Sequence, residues 1–177
     1  LLHRLVAQAD VFITNLPLPV RPRLALNADR LMALNPRLVY ASMTAYGETG
    51  PESAKPGFDI TAYWARSGLM DMVRPDHAAP PAKPVGGLGD HPSAVTLFGA
   101  IATALYRRER SGRGGVVSTS LLANGVWANG LQVQAHLGVA AGDLAPGRPR
   151  ERDGVREADR DRPPHRVLPH VDGEPRP

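Results

Sequence analysis

One carboxylate in this chain is presented as a reactive group would be. Gly86-Gly87-Leu88-Gly89-Asp90-His91-Pro92-Ser93 sets a glycine approach before Asp90, and a long apolar segment from Ala94 to Tyr106 follows it. The glycines leave the backbone free to take conformations closed to other residues, and Asp90 then falls where a helix should begin. Two roles suit a carboxylate there. As an N-cap it satisfies orphan amides, a contribution of about 1 kcal/mol. As a nucleophile it forms a covalent intermediate with an electrophilic substrate. Capping aspartates far outnumber nucleophilic ones, so the local sequence taken alone favours the cap.

The elements around Asp90 read as an α/β chain. Leu1 to Ala9 has the spacing of a helix end, with Leu2, Leu5 and Val6 on one face, and Asp10 to Thr14 is a short β-branched and aromatic run suited to a buried parallel strand. That strand stops at Asn15-Leu16-Pro17, and a Pro-rich connection passes through Arg23 to a helix expected over Ala28 to Leu34. Asn27 is its expected N-cap and Asn35-Pro36 its stop. Arg37 to Met43 follows as a second strand. Strand, helix and strand joined by short connections form a βαβ unit with parallel strands. An open α/β sheet binds its ligand at the carboxyl ends of its strands. Asn15-Leu16 and Thr44-Ala45-Tyr46-Gly47-Glu48 occupy those two positions.

Beyond them, Gly57-Phe58-Asp59 precedes a helix expected from about Ile60 to Met70, and Pro75 to Pro84 forms a Pro/Ala-rich loop leading to the glycine stretch. The Ala94–Tyr106 segment is apolar nearly all round, which predicts a helix buried on every side and ended by Gly112. Val116 to Ser120 reads as a third strand. Leu121 to His136 reads as a helix with Val126, Trp127, Leu131 and Val133 to bury. From about Ala141 onward Arg, Asp, Glu and Pro dominate and hydrophobic periodicity vanishes, so residues 139–177 are expected to form a disordered tail. Out-of-frame translation after Gly138 would give the same abrupt change of composition.

Composition removes several classes of function. The chain has 177 residues and no cysteine, which excludes disulfides, thiolate metal sites and a cysteine nucleophile. Its six His residues lack metal-ligand spacing, so no metal is expected. The formal charge of +4 is spread among acids, and only Arg107-Arg108-Glu109-Arg110 with Arg113 clusters; aromatics are too sparse for a base-stacking platform. Such a cluster at a helix end complements the helix dipole or meets an anionic ligand. No apolar run approaches the roughly 20 residues of a membrane span and none resembles a signal peptide, so a cytoplasmic location is expected.

Several segments together resemble the family III coenzyme A transferases, the group that includes formyl-CoA transferase, carnitine CoA-transferase and α-methylacyl-CoA racemase. They are Ala9-Asp10-Val11-Phe12-Ile13-Thr14-Asn15, Leu34-Asn35-Pro36-Arg37-Leu38-Val39-Tyr40, Tyr46-Gly47-Glu48-Thr49-Gly50-Pro51, Pro56-Gly57-Phe58-Asp59, Gly89-Asp90, and Arg108-Glu109-Arg110-Ser111-Gly112-Arg113-Gly114. Each is weak alone; their order and spacing are specific. The resemblance covers a middle portion of such an enzyme. It implies an incomplete Rossmann-like parallel-sheet domain over residues 1–138, acting in the full-length enzyme as an interlocked homodimer.

By that resemblance Asp90 is the nucleophile, forming a mixed anhydride and then an aspartyl-CoA thioester, with the capping role served at the same time. A carboxylate at a helix N-terminus is kept ionised by the dipole, and the glycine approach leaves room for an acyl group. Asn15, Leu16 and Arg23 match residues that contact the CoA nucleotide, although Leu16 replaces an aromatic. Thr44, Ala45 and Tyr46 match the pantetheine path, and Glu48 is either a contact of the reacting acyl group or a loop carboxylate. Coenzyme A enters as a substrate, in acyl-CoA, and no tightly bound cofactor is implied. Phe58 stands where the racemase branch carries the His that exchanges the α-proton, so transfer is preferred over racemisation. A racemase or dehydratase-like relative and a truncated, non-catalytic remnant are the alternatives.

Overall fold

A computed structural model of the protein describes residues 1–82 and 84–140, the last two by their backbone only. The expected tail therefore lies outside the described residues but for the backbone of 139 and 140. Three parallel strands form the sheet: β1 (Val11–Thr14), β2 (Val39–Thr44) and β3 (Gly115–Ser120), in that spatial order. Val11 lies opposite Val39 and Thr14 opposite Ser42; on the other side of β2, Val39 lies opposite Gly115 and Thr44 opposite Ser120. Val39, Tyr40, Ala41 and Ser42 are all buried, as a central parallel strand covered on both faces requires.

Helices α1 (Leu2–Val6), α2 (Val20–Arg23) and α3 (Ala28–Leu34) come from the first part of the chain. Val6 and Leu31 pack with Leu26, Leu38 and Tyr40 against one face of the sheet, and the Phe12 ring lies 5.4 Å from that of Tyr40. A π-helical segment, Asp59–Ala65, and the short α4 (Leu69–Met72) follow β2. The long α5 (Asp90–Ser111) covers the opposite face, placing Leu97 and Ile101 on Ala41 of β2. Helices α6 (Leu121–Ala128) and α7 (Gly130–Ala140) complete the described chain.

Four expectations needed correction. The helix expected over Ile60–Met70 is split, because Gly68 takes φ +86° and ends the π-helical segment before α4. The helix expected over Leu121–His136 breaks at Asn129 into α6 and α7. There Asn129 Nδ2 donates to the Ser67 carbonyl at 2.8 Å, pinning the junction. The Pro-rich connection before Arg23 contains the single turn of α2. Burial on every side fails for α5: Leu97, Ile101 and Ala104 are buried, while Val95 and Phe98 are about 70% exposed. Trp127 and Leu131 are likewise bare, at 84% and 80%. One sheet supplies one covering face, and nothing among the described residues packs on the other.

The basic cluster at the end of α5 has a structural member. Arg108 is buried and pairs with Asp10 at 2.9 Å while donating to the Arg37 carbonyl at 3.1 Å, so it ties α5 to the amino ends of β1 and β2.

Candidate functional site

The carboxyl ends of β1 and β2 open into a cleft of about 320 Å³. Each strand end is shaped by its own threonine. Thr14 Oγ1 accepts from the Leu16 amide at 3.2 Å, and Thr44 Oγ1 accepts from the Gly47 amide at 3.0 Å, turning the chain out of the sheet. The Ala45 carbonyl accepts from the Leu122 amide at 2.9 Å, which fixes the end of β2 to the start of α6. Asn15, Leu16, Thr44 and Ala45 thus line the cleft, with Met43 and Leu121 at its floor and Gly57-Phe58 at its rim. A side chain at Gly57 would put Cβ 2.8 Å from Cβ of Ala45, so that crossing excludes larger residues.

Asp90 lines the same cleft. The expected N-cap geometry is corrected by one residue: Gly89, which has no side chain to cap with, is the N-cap, and Asp90 is the first residue of α5. Gly89 already has α-helical φ and ψ, so Asp90 enters at the first helical position rather than as the cap. Asp90 is exposed and has no hydrogen-bond or ion-pair partner among the described residues. Asp90 thus presents an unpaired carboxylate at the positive end of a 22-residue helix, on the wall of the cleft.

The remaining sequence-derived site residues lie apart from this group. Tyr46 packs its ring toward Gly57 and joins the cluster of Ala62, Tyr63 and Leu121, behind the cleft wall. Arg23 is exposed at the end of α2 without an ion pair among the described residues. Glu48 lines a separate hollow with Tyr40 and Asn27. Its Oε1 accepts from Ser42 Oγ at 2.5 Å and pairs with Arg21 Nη1 at 3.0 Å, while Arg21 Nε donates to the Leu16 carbonyl at 2.8 Å. Lys55, at the cleft edge, is held by Glu52 at 2.8 Å; that hydrogen bond, aided by Arg66 at 2.6 Å, keeps the Glu52 carboxyl below its usual pKa.

Two participants had no clear signal in the sequence. Arg21 reads as one more solvated Arg in a Pro-rich connection, yet it is 4% exposed. Asp59 reads as a residue near a helix start, yet it is buried and accepts from the Ile60 and Gly87 amides at 2.6 Å each. No cluster of potential metal ligands occurs among the described residues, and none of their helices is long and apolar enough to cross a membrane.

The family model of CoA-transferase family III matches residues 1–174. The chain belongs to CoA-transferase family III. Cinnamoyl-CoA:phenyllactate CoA-transferase of Clostridium sporogenes is 36% identical over 135 residues, which cover 76% of this chain and 32% of that protein. Acetyl-CoA:oxalate CoA-transferase of Acetobacter aceti is 41% identical over 119 residues, 66% of this chain and 30% of that one. The crystal structure of Rv3272 from Mycobacterium tuberculosis superposes with a TM-score of 0.71 at 32% identity, covering 77% of this chain and 38% of that structure. This family III chain spans about a third of the length of the curated relatives it matches. The α/β class and the parallel sheet expected of a family III domain are what it shows.

Proposed function

We propose that this chain carries the nucleophile and part of the coenzyme A site of an enzyme that moves CoA from an acyl-CoA to a carboxylic acid. The observation that carries the reading is the meeting, in one cleft, of the unpaired Asp90 carboxylate with the strand-end residues Asn15, Leu16, Thr44 and Ala45. An Asp90 oxygen attacks the thioester carbonyl carbon, the carbon–sulfur bond breaks, and CoA leaves as thiolate from the mixed anhydride. The thiolate then attacks the Asp90 carbonyl carbon and releases the donor acid as carboxylate, leaving an aspartyl-CoA thioester. An acceptor carboxylate attacks that thioester, forming a second anhydride and freeing the thiolate, which attacks the acceptor acyl carbon. The products are the new acyl-CoA and the original Asp90 carboxylate. No external proton donor or oxidant is needed.

In this reading Asn15, Leu16 and the exposed cation of Arg23 receive the nucleotide end of CoA, Thr44 and Ala45 flank the pantetheine arm, and Tyr46 backs the wall beside them. Contact between Glu48 and the acyl group would require release from Arg21 and Ser42, so its ion pair favours a supporting place at the end of β2. Phe58, at the cleft rim and 76% exposed, offers no base for exchanging an α-proton, which weighs against a racemase. The bare apolar residues Phe98, Trp127 and Leu131 are of the kind a second protomer would cover in an interlocked cytoplasmic homodimer. They equally favour a second reading, a chain that retains CoA affinity without turnover.

Incubation with cinnamoyl-CoA, then hydroxylamine and peptide mass analysis, tests the reading. Transfer yields a hydroxamate on Asp90. CoA binding with an unmodified Asp90 in the folded protein would overturn transfer and leave the second reading standing.

A further inference from the structure

Asp59 lies outside the cleft, but its carboxylate spans two segments. Oδ1 accepts from the Ile60 amide and Oδ2 from the Gly87 amide, both at 2.6 Å, and the side chain is withdrawn from water at 8% exposure. A charged acceptor with amides on both oxygens makes strong, directional bonds, and burial raises the cost of losing either. Gly87 takes φ +87°, a conformation strained for any other residue, and its amide is thereby held against Asp59. Two residues on, buried Gly89 lies against the Tyr63 ring of the same π-helical segment; a Cβ there would sit 2.6 Å from Tyr63 Cγ. Asp90 is the next residue. The backbone leading to Asp90 is thus fixed at two points, both on the π-helical segment.

We infer that Asp59 is a positioning residue for Asp90: its bond to the Gly87 amide holds the glycine approach on the π-helical segment and so sets where the Asp90 carboxylate meets the acyl carbon. This rests on the transferase reading for its chemistry and on the Asp59–Gly87 bond for its geometry. Asp90 has no hydrogen bond of its own among the described residues, so its placement comes from its backbone. A carboxylate displaced by about 1 Å from its attack geometry loses on the order of 100-fold in rate.

The test uses Asp59→Asn, which keeps the shape and one acceptor oxygen but turns an amide group toward a backbone donor. Hydrogen exchange of the Gly87 amide should be slow in the parent protein and faster in the variant by about 10- to 100-fold. At saturating cinnamoyl-CoA the rate of hydroxamate trapping on Asp90 should fall by a similar factor, roughly 10- to 100-fold, with KM unchanged within about twofold. A merely structural role would lower the melting temperature and raise KM together. Trapping at the parental rate in Asp59→Asn, or free-peptide exchange at Gly87 in the parent protein, overturns the inference. If the variant does not fold, exchange at Gly87 in the parent protein decides alone. If the folded parent never acylates Asp90, the transferase reading falls separately, and exchange in the variant still decides whether Asp59 holds the approach.

Discussion

Arg21 and Glu48 face each other at 3.0 Å beside β2, the cation side chain 5% exposed and the carboxylate 31%. The difference in burial makes the pair unequal. Removing the carboxylate strands a guanidinium away from water, whereas removing the cation leaves a carboxylate that water can still reach. Glu48→Gln should therefore cost about 3 kcal/mol and Arg21→Met nearer 1 kcal/mol, read from urea unfolding. Equal costs would refute the assignment. A loss of turnover in Glu48→Gln at unchanged stability would instead make Glu48 a contact of the acyl group.

Asp90→Asn removes no side-chain hydrogen bond among the described residues, only a charge in the first turn of α5. Stability should fall by about 0.5 kcal/mol, the helix-dipole contribution of an exposed carboxylate. Hydroxamate trapping should disappear. Thermal melting and peptide mass analysis of one preparation read both outcomes, and trapping that persisted elsewhere on the chain would move the nucleophile.

Gly89→Ala inserts a methyl group 2.6 Å from Cγ and 2.7 Å from Cβ of Tyr63. Both partners are buried, so relief requires backbone movement, and destabilisation of about 1–3 kcal/mol is expected. Truncating the ring by Tyr63→Ala in the same chain removes the Cγ nearest the new methyl group and should recover part of that loss. Denaturant midpoints of the two single variants and the double variant measure the coupling.

Tyr40 and Tyr63 both have pKa values raised above the ordinary 10.0 by burial; at Tyr40 the nearby Arg21 acts in the opposite direction. The unfolded chain thus releases these protons at lower pH than the fold does. Their contribution to stability is complete below about pH 10 and is lost as pH rises through the folded pKa values. Tyr40→Phe should cost about 1 kcal/mol at pH 7, through the bond to the Leu26 carbonyl, and should flatten the alkaline limb of the curve. An unchanged slope above pH 10 would contradict the raised pKa.

Strand positions and the general place of the site were legible because they rest on local signals. β-branched runs ended by Asn15 and by Thr44 name the strand ends, and strand ends in a parallel sheet face one side. The place of Asp90 at the start of a helix was legible through its glycine approach, and the structure puts it on the cleft. What escaped depends on contacts between distant segments. Nothing near Arg21 foretells a carboxylate at residue 48, and nothing near Asp59 foretells the amide of residue 87. The bare faces of α5 and α7 escaped for the converse reason: apolar pattern announces that a face wants covering, and it does not say whether this stretch of chain supplies the cover.

The bond from Asp59 to Gly87 closes a loop of 28 residues with both ends held. Whatever lies on the arc between α4 and the glycines can then vary in length without moving Asp90, because loop entropy grows only logarithmically, by about 0.6 kcal/mol for each doubling. The surface arc near residues 75–82 is accordingly where this scaffold can accept insertions while Asp90 stays put.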